Sequence, residues 1–368
     1  MIRVAQVMGK MFGGGVESVV MNYYRHIDRS RVQFDLLVCS DSGLVPTEEV
    51  ESLGGSIIEV PPYENVLAYQ RELKRVLSQG DWPIVHSHLS TLSVFSLRAA
   101  KAAGVPVRIA HSHMAWSSGI SVKSLIERSL CHFSNLYPTA RLACSREAGE
   151  WLFGKRVPVD LMYNAIDLDR FAFSKSVRDA ERARLGIAED AFVVGHIGRF
   201  SYQKNHPFLL RAFEELLALR EDAVLVLAGG GSNDKRLDAE RWVSAHGLSD
   251  KVVFVDFTEF PERLYCAFDV FALPSFFEGL CVVGIEAQAA GLPCILSDRT
   301  TREANVSGTV QYLPIDDPRL WAEALAQIER GSRISVNREQ FSSYDIVQAG
   351  AWLTDYYERL AEQSRTAN

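Results

Sequence analysis

The sequence predicts an α/β protein built from two doubly wound parallel-sheet domains, and three observations carry that reading. The chain has 368 residues, more than a single hydrophobic core of roughly 250–300 residues accommodates, so two domains are expected with a ligand cleft between them. Short apolar runs alternate with helical patterns along the chain, which implies parallel pairing through crossover helices. Glycines follow the first strand-like run of each half, at the sheet edge where open α/β sheets bind ligands.

The elements follow in order. Ile2–Val7 reads as a strand, Gly13-Gly14-Gly15 as a tight loop, and Glu17 to Met21 as the start of a helix. Strands are expected at Phe34–Val38, Ile57–Val60, Ile84–His86 and Val105–Ala110, with helices at Tyr69–Ser78 and Leu92–Ala103 between them. The alternation restarts after a polar stretch, with strands at Phe192–Ile197, Ala223–Ala228, Val252–Val255 and Val270–Pro274 and a helix at Pro207–Leu219. The junction is placed near Asn164, giving a first domain over 1–163 and a second over 164–348. The tail 349–368 reads as a polar-apolar helix that could pack back on the first domain.

Composition narrows the class. With 47% hydrophobic and 23% charged residues the chain is globular rather than disordered, fibrous or membrane-spanning. The net charge of −7 argues against a nucleic-acid partner, because neutralising phosphates needs a basic face. That charge is uneven: residues 1–163 balance at +2 and the remainder at −9. The six cysteines stand singly without CxxC or interleaved histidine spacing, so no disulfide framework or zinc site is suggested. No signal-type apolar region and no membrane-length run is seen, which predicts a cytoplasmic protein with room for peripheral contact at the inner membrane face.

Three segments carry chemistry. Gly14 and Gly15 at a helix start offer backbone N–H groups to an anion, although a plain tight turn explains them equally well. They form neither a G-x-G-x-x-G fingerprint nor a P-loop. Arg199 and Lys204, on the exit of the strand ending at Ile197, can converge on one dianionic group, the competing reading being two solvated surface cations. Glu278, Gly279, Leu280, Cys281 and Glu286 run from a loop into an apolar helix, where a carboxylate needs a partner. Sugar or ribose hydroxyls would satisfy Glu286, and so would a salt bridge to an arginine.

Taken together, these motifs resemble the retaining glycosyltransferases of family 4, of the GT-B fold. Tyr163-Asn164-Ala165-Ile166-Asp167 is similar to the P-N-G-I-D segment of that family, and Ala267 to Ser275 to its A-A-D-V-F-V-L-P-S strand. Ile109 to His113 and Arg302 to Asn305 look most like the exopolysaccharide and capsule enzymes within it.

The resemblance implies a nucleotide-sugar donor, most simply a UDP-sugar, held by the second domain. Arg199 and Lys204 would hold the pyrophosphate, Glu286 the ribose, Glu278 the transferred sugar, and the Leu280-Cys281 helix start the sugar or phosphate. Phe257 would lie beside the base, although Asp256-Phe257 departs from the glycine usual there. Gly14 and Gly15 would face the diphosphate, and His111 or His113 would contact the donor sugar near the reacting carbon. The implied acceptor is a glycan or a polyprenyl-linked oligosaccharide, met by the first domain, where Val122–Phe133 could lie on an anionic bilayer. No metal or other cofactor is implied, and Asp167-Leu168-Asp169 is read as a turn. The same fold also serves sugar-nucleotide 2-epimerases and soluble disaccharide or glycogen-type synthases, which stay open as alternatives.

Overall fold

The computed structural model describes residues 1–113, 128–258, 260–278 and 280–366. The chain divides into two compact units, one of residues 1–166 with 343–368 and one of 167–342.

The first unit holds a seven-stranded sheet in the order β3-β2-β1-β4-β5-β6-β7, with every pairing parallel. Its strands are β1 (Ile2–Gly9), β2 (Val32–Cys39), β3 (Ile57–Val60), β4 (Ile84–Ser87), β5 (Val107–Ser112), β6 (Ala140–Ala143) and β7 (Asp160–Leu161). All eight residues of β2 are buried, as expected of a strand covered on both faces. One face packs Val4, Phe34, Leu36 and Ile109 against the helices Gly15–His26 and Ile346–Thr366; the other packs Ala5, Val7, Leu37 and Val85 against Val66–Gln79 and Ser93–Ala102.

The C-terminal helix therefore belongs to the first unit, through Leu353, Tyr356 and Tyr357. The chain passes back at Ser343, five or six residues before the 348/349 boundary expected from sequence, because Ile166 and Ile346 pair through backbone bonds around Tyr344. The strand expected at Val105–Ala110 starts two residues later, after Pro106, which has no N–H to give the ladder, and runs on through His111 to Ser112.

The second unit repeats the plan with six parallel strands in the order β10-β9-β8-β11-β12-β13: β8 (Phe192–Ile197), β9 (Ala223–Ala228), β10 (Val252–Val255), β11 (Val270–Leu273), β12 (Cys294–Ser297) and β13 (Gln311–Leu313). In each unit the strand order reverses beside the first strand, between β1 and β4 and between β8 and β11. Those switch points open a crevice at the carboxyl ends of the strands.

The polar stretch after the junction is also ordered. It forms the helix Lys175–Arg184, which buries Arg182 against Asp269 at 2.8 Å. Arg182 also donates to the carbonyls of Ala267, Glu189 and Ala191, and Asp269 accepts from the N–H groups of Val193 and Gly331. A buried pair of charges survives only with its remaining hydrogen bonds met in this way. The Asp269 that opens β11 is thus a structural anchor.

Candidate active site

In the second unit the expected residues gather at the switch point. Gly198 and Arg199 leave β8, Lys204 ends the short 3-10 turn Tyr202–Lys204, and Glu278 lies in the loop after β11. Lys204 Nζ stands 2.7 Å from Glu278 Oε1. Ser275 Oγ donates to the same oxygen at 2.7 Å, and Gln203 Nε2 to Glu278 Oε2 at 3.2 Å. The cation expected to hold phosphate and the carboxylate expected to hold sugar are therefore bonded to each other. A Cβ on Gly198 would lie 2.9 Å from Lys204 Cε, so glycine is what lets the lysine stem pass.

Gly229, after β9, has φ +147°, and a Cβ there would collide with the Gly198 carbonyl oxygen. The two loops are in backbone contact: Phe200 N–H donates to Gly230 O at 2.8 Å. Phe257, after β10, is 67% exposed and stands beside Gly230. Arg199 is exposed and, among the described residues, has no ion-pair partner.

Glu286 lies in the helix Val282–Ala289, with Cys281 as its N-cap. Its partner among the described residues is a tyrosine and not an arginine: Tyr265 Oη donates to Glu286 Oε2 at 2.7 Å. Burial pushes the Glu286 carboxyl up to about 7, with the Tyr265 hydrogen bond opposing. Leu280 and Cys281 are buried, and their N–H groups donate to no described residue. Burial also pushes the Cys281 thiol up to about 12, so it is no nucleophile. Gly279 lies outside the described residues, as does the first half of Val122–Phe133.

In the first unit Gly14 caps the helix Gly15–His26. The Glu17 carboxylate reaches back to accept from Gly14 N–H at 2.7 Å and Phe12 N–H at 2.9 Å. Part of the anion site expected here is thus filled by the chain's own acid. Space remains at Gly15, where a Cβ would meet nothing.

His111 and His113, at the end of β5, are buried with ring centroids 3.9 Å apart. They are joined by two histidines that the sequence reading did not single out, His86 and His88 at the end of β4. His86 Nε2 meets His111 Nδ1 at 3.1 Å, and His88 Nδ1 meets His113 Nε2 at 2.8 Å. The signal was present in the sequence: H-x-H occurs at the ends of two successive strands, and period-two alternation puts each pair on one face. His88 Nε2 meets Gln6 Oε1 at 2.8 Å, His86 Nδ1 meets Tyr357 Oη at 2.7 Å, and Gln6 Nε2 donates to Tyr357 Oη at 3.1 Å. Burial drives all four imidazoles toward the neutral form, His113 down to about 3. His86, His88 and His111 place ligand nitrogens within 4.8 Å of one another, the spacing of a metal site. Both ring nitrogens of His86 and of His88 are already engaged with protein partners. Asp167 accepts from the N–H groups of Asp169 and Arg170, a turn closed by its own side chain, while Asp169 pairs with Arg338.

Comparison with known proteins matches two family models, "Glycosyltransferase Family 4" over residues 13–170 and "Glycosyl transferases group 1" over 177–344. EpsF of Bacillus subtilis, named as a glycosyltransferase, is 37% identical over 95% of this chain and 92% of its own. An Escherichia coli UDP-Gal:α-D-GlcNAc-diphosphoundecaprenol α-1,3-galactosyltransferase is 27% identical over 81% of this chain and 79% of its own. Among solved structures, Anabaena HepE in complex with UDP-glucose aligns with a TM-score of 0.73 at 16% identity, over 100% of this chain and 99% of its own. Sucrose-phosphate synthase from Thermosynechococcus elongatus aligns at 0.68 and 17% identity, over 100% and 98%.

Proposed function

Given that the chain belongs to the GT-B glycosyltransferases, we propose that it moves a sugar, with retention of configuration, from a UDP-sugar to a glycan or polyprenyl-linked acceptor in surface polysaccharide synthesis. What supports the donor half is the Lys204–Glu278 pair, which joins the loops after β8 and β11 at the second unit's switch point, with Arg199 on the same β8 exit and Glu286 in the helix that follows Glu278. The base is suggested by UDP and UDP-glucose in the HepE structures, and the lipid-linked acceptor by the diphosphoundecaprenol substrate named for the Escherichia coli relative.

Breaking the sugar–phosphate bond develops negative charge on the leaving diphosphate, so an electrostatic clamp lowers the barrier most. Arg199, Lys204 and the N–H groups at Leu280 and Cys281 supply that clamp without a metal ion. Glu286 takes the ribose hydroxyls and Glu278 those of the transferred sugar, Phe257 lies against the base, and Gly14 and Gly15 against the diphosphate. His111 or His113 contacts the transferred sugar. The leaving phosphate itself takes the acceptor proton on the same face. The first unit receives the acceptor, working in the cytoplasm at the membrane face. Among the described residues no helix is long and apolar enough to cross a membrane.

Incubation with UDP-sugars and a polyprenyl-diphosphate-linked sugar tests the proposal. A product lengthened by one α-linked residue is expected. Epimerised donor, or UDP release that does not respond to acceptor, would overturn it.

A further inference from the structure

Six side chains, from β1, the ends of β4 and β5 and the C-terminal helix, form one hydrogen-bonded chain, and its chemistry leaves little freedom. Gln6 turns its carbonyl Oε1 toward His88 and its amide Nε2 toward Tyr357. A carbonyl only accepts, so His88 must carry its proton on Nε2, leaving Nδ1 as an acceptor. His113 therefore donates from Nε2 to His88 Nδ1 at 2.8 Å. On the other side Tyr357 Oη accepts from Gln6 and gives its own proton to His86 Nδ1 at 2.7 Å. A neutral His86 then carries its proton on Nε2 and donates to His111 Nδ1 at 3.1 Å.

The ends follow from the middle. His111, accepting at Nδ1, holds its proton on Nε2; His113, donating from Nε2, holds a lone pair on Nδ1. Those two atoms, buried on stacked neighbouring rings, are the ones in the cluster without a partner among the described residues. Buried polar atoms are rarely left unpaired. One is a donor and the other an acceptor, the two roles that a hydroxyl group complements.

We propose that Gln6 and Tyr357 are positioning residues that lock His86, His88, His111 and His113 in one shared tautomer, so that His111 presents an N–H and His113 a lone pair to a substrate hydroxyl. The substrate clause rests on the glycosyltransferase reading; the tautomer clause does not. Neither Gln6 nor Tyr357 touches substrate in this account. They act by fixing which nitrogen of each imidazole carries the proton.

Long-range proton–nitrogen NMR on the intact protein, labelled at histidine nitrogens, tests it. Wild type should show the four histidines of the cluster, His86, His88, His111 and His113, in the Nε2–H form. Tyr357→Phe keeps the ring against Phe34 but removes the link to His86, and should turn His86 and His111 into tautomer mixtures while His88 and His113 keep theirs. Gln6→Leu should do the reverse. In a transfer assay Tyr357→Phe should lower kcat roughly 10–100-fold, the range for loss of an outer orienting partner, with KM for the sugar nucleotide within about twofold. Mixed or Nδ1–H tautomers at any of these four histidines in wild type, or an unchanged pattern in Tyr357→Phe, would overturn the chain. Shifted tautomers with unchanged kcat would overturn its positioning role. A protein that transfers no sugar yet keeps four Nε2–H histidines would count against the transferase reading and leave the tautomer lock standing.

Discussion

Lys204 Nζ lies 2.7 Å from Glu278 Oε1, joining the loop after β8 to the loop after β11 across the switch point. The two side chains are mostly buried, so each compensates the other's charge. A diphosphate arriving at Lys204 would compete with Glu278, and the freed carboxylate would then be available to sugar hydroxyls. Lys204→Ala should weaken UDP binding about 10–100-fold, the equivalent of one charge-assisted hydrogen bond. Glu278→Gln should bind UDP at least as tightly as wild type while losing most transfer. Titration calorimetry with UDP, beside a turnover assay, separates the two; equal effects of both substitutions on UDP affinity would show that the pair does not exchange partners.

Glu286 supplies a pH test. Its folded carboxyl titrates near 7, above the ordinary value of 4.5, and only the ionised form accepts two ribose hydroxyls. Donor affinity should therefore rise as pH climbs through about 7 and level off above it, and Glu286→Gln should flatten that rise. The sign for stability is opposite. An acid with a raised folded pKa holds a proton that the unfolded chain has already released, so stability falls between about pH 4.5 and 7. Glu286→Gln should accordingly raise Tm at about pH 8 and leave it nearly unchanged at about pH 4.

Arg182 and Asp269 are 2% and 1% exposed at the side chain. Removing one partner of such a pair costs about 3–5 kcal/mol, since the other charge stays buried. Asp269→Ala also strands the N–H groups of Val193 and Gly331. Urea unfolding should show the second unit losing that much stability. A loss below about 1 kcal/mol, the level of an exposed pair, would mean that the site is solvated.

Transfer should survive prolonged chelation if the diphosphate is clamped as proposed, by Arg199, Lys204 and backbone N–H groups. Loss of activity restored by a divalent ion would move attention to the ligand nitrogens of His86, His88 and His111.

The strands that position the site were legible because their apolar runs are long and covered on both faces, as in β1, β2, β8 and β9. The strands β6, β7, β12 and β13, of two to four residues, were not singled out, although β3, β4, β10 and β11, of four residues each, were, so shortness alone does not hide a strand. Arg199, Lys204, Glu278 and Glu286 could be singled out because polar residues at strand exits stand against apolar surroundings. Their pairing could not. That Lys204 meets Glu278, and Glu286 meets Tyr265, depends on contacts between residues 74 and 21 positions apart. Nothing in the polar stretch after the junction marks Arg182 as buried, because its partner lies 87 residues on. His86 and His88 were legible as the H-x-H repeated at two successive strand ends, but their bonds to Gln6, near the start of the chain, and to Tyr357, near its end, were not.

The most direct measurement is calorimetric titration of UDP into wild type and Glu286→Ala. Saturable binding to wild type, at least about tenfold weaker in the variant as expected when a charged hydrogen-bond partner is lost, is the result predicted by a donor site at the second unit's switch point. Equal affinity in the two proteins, with the variant still folded, would contradict it.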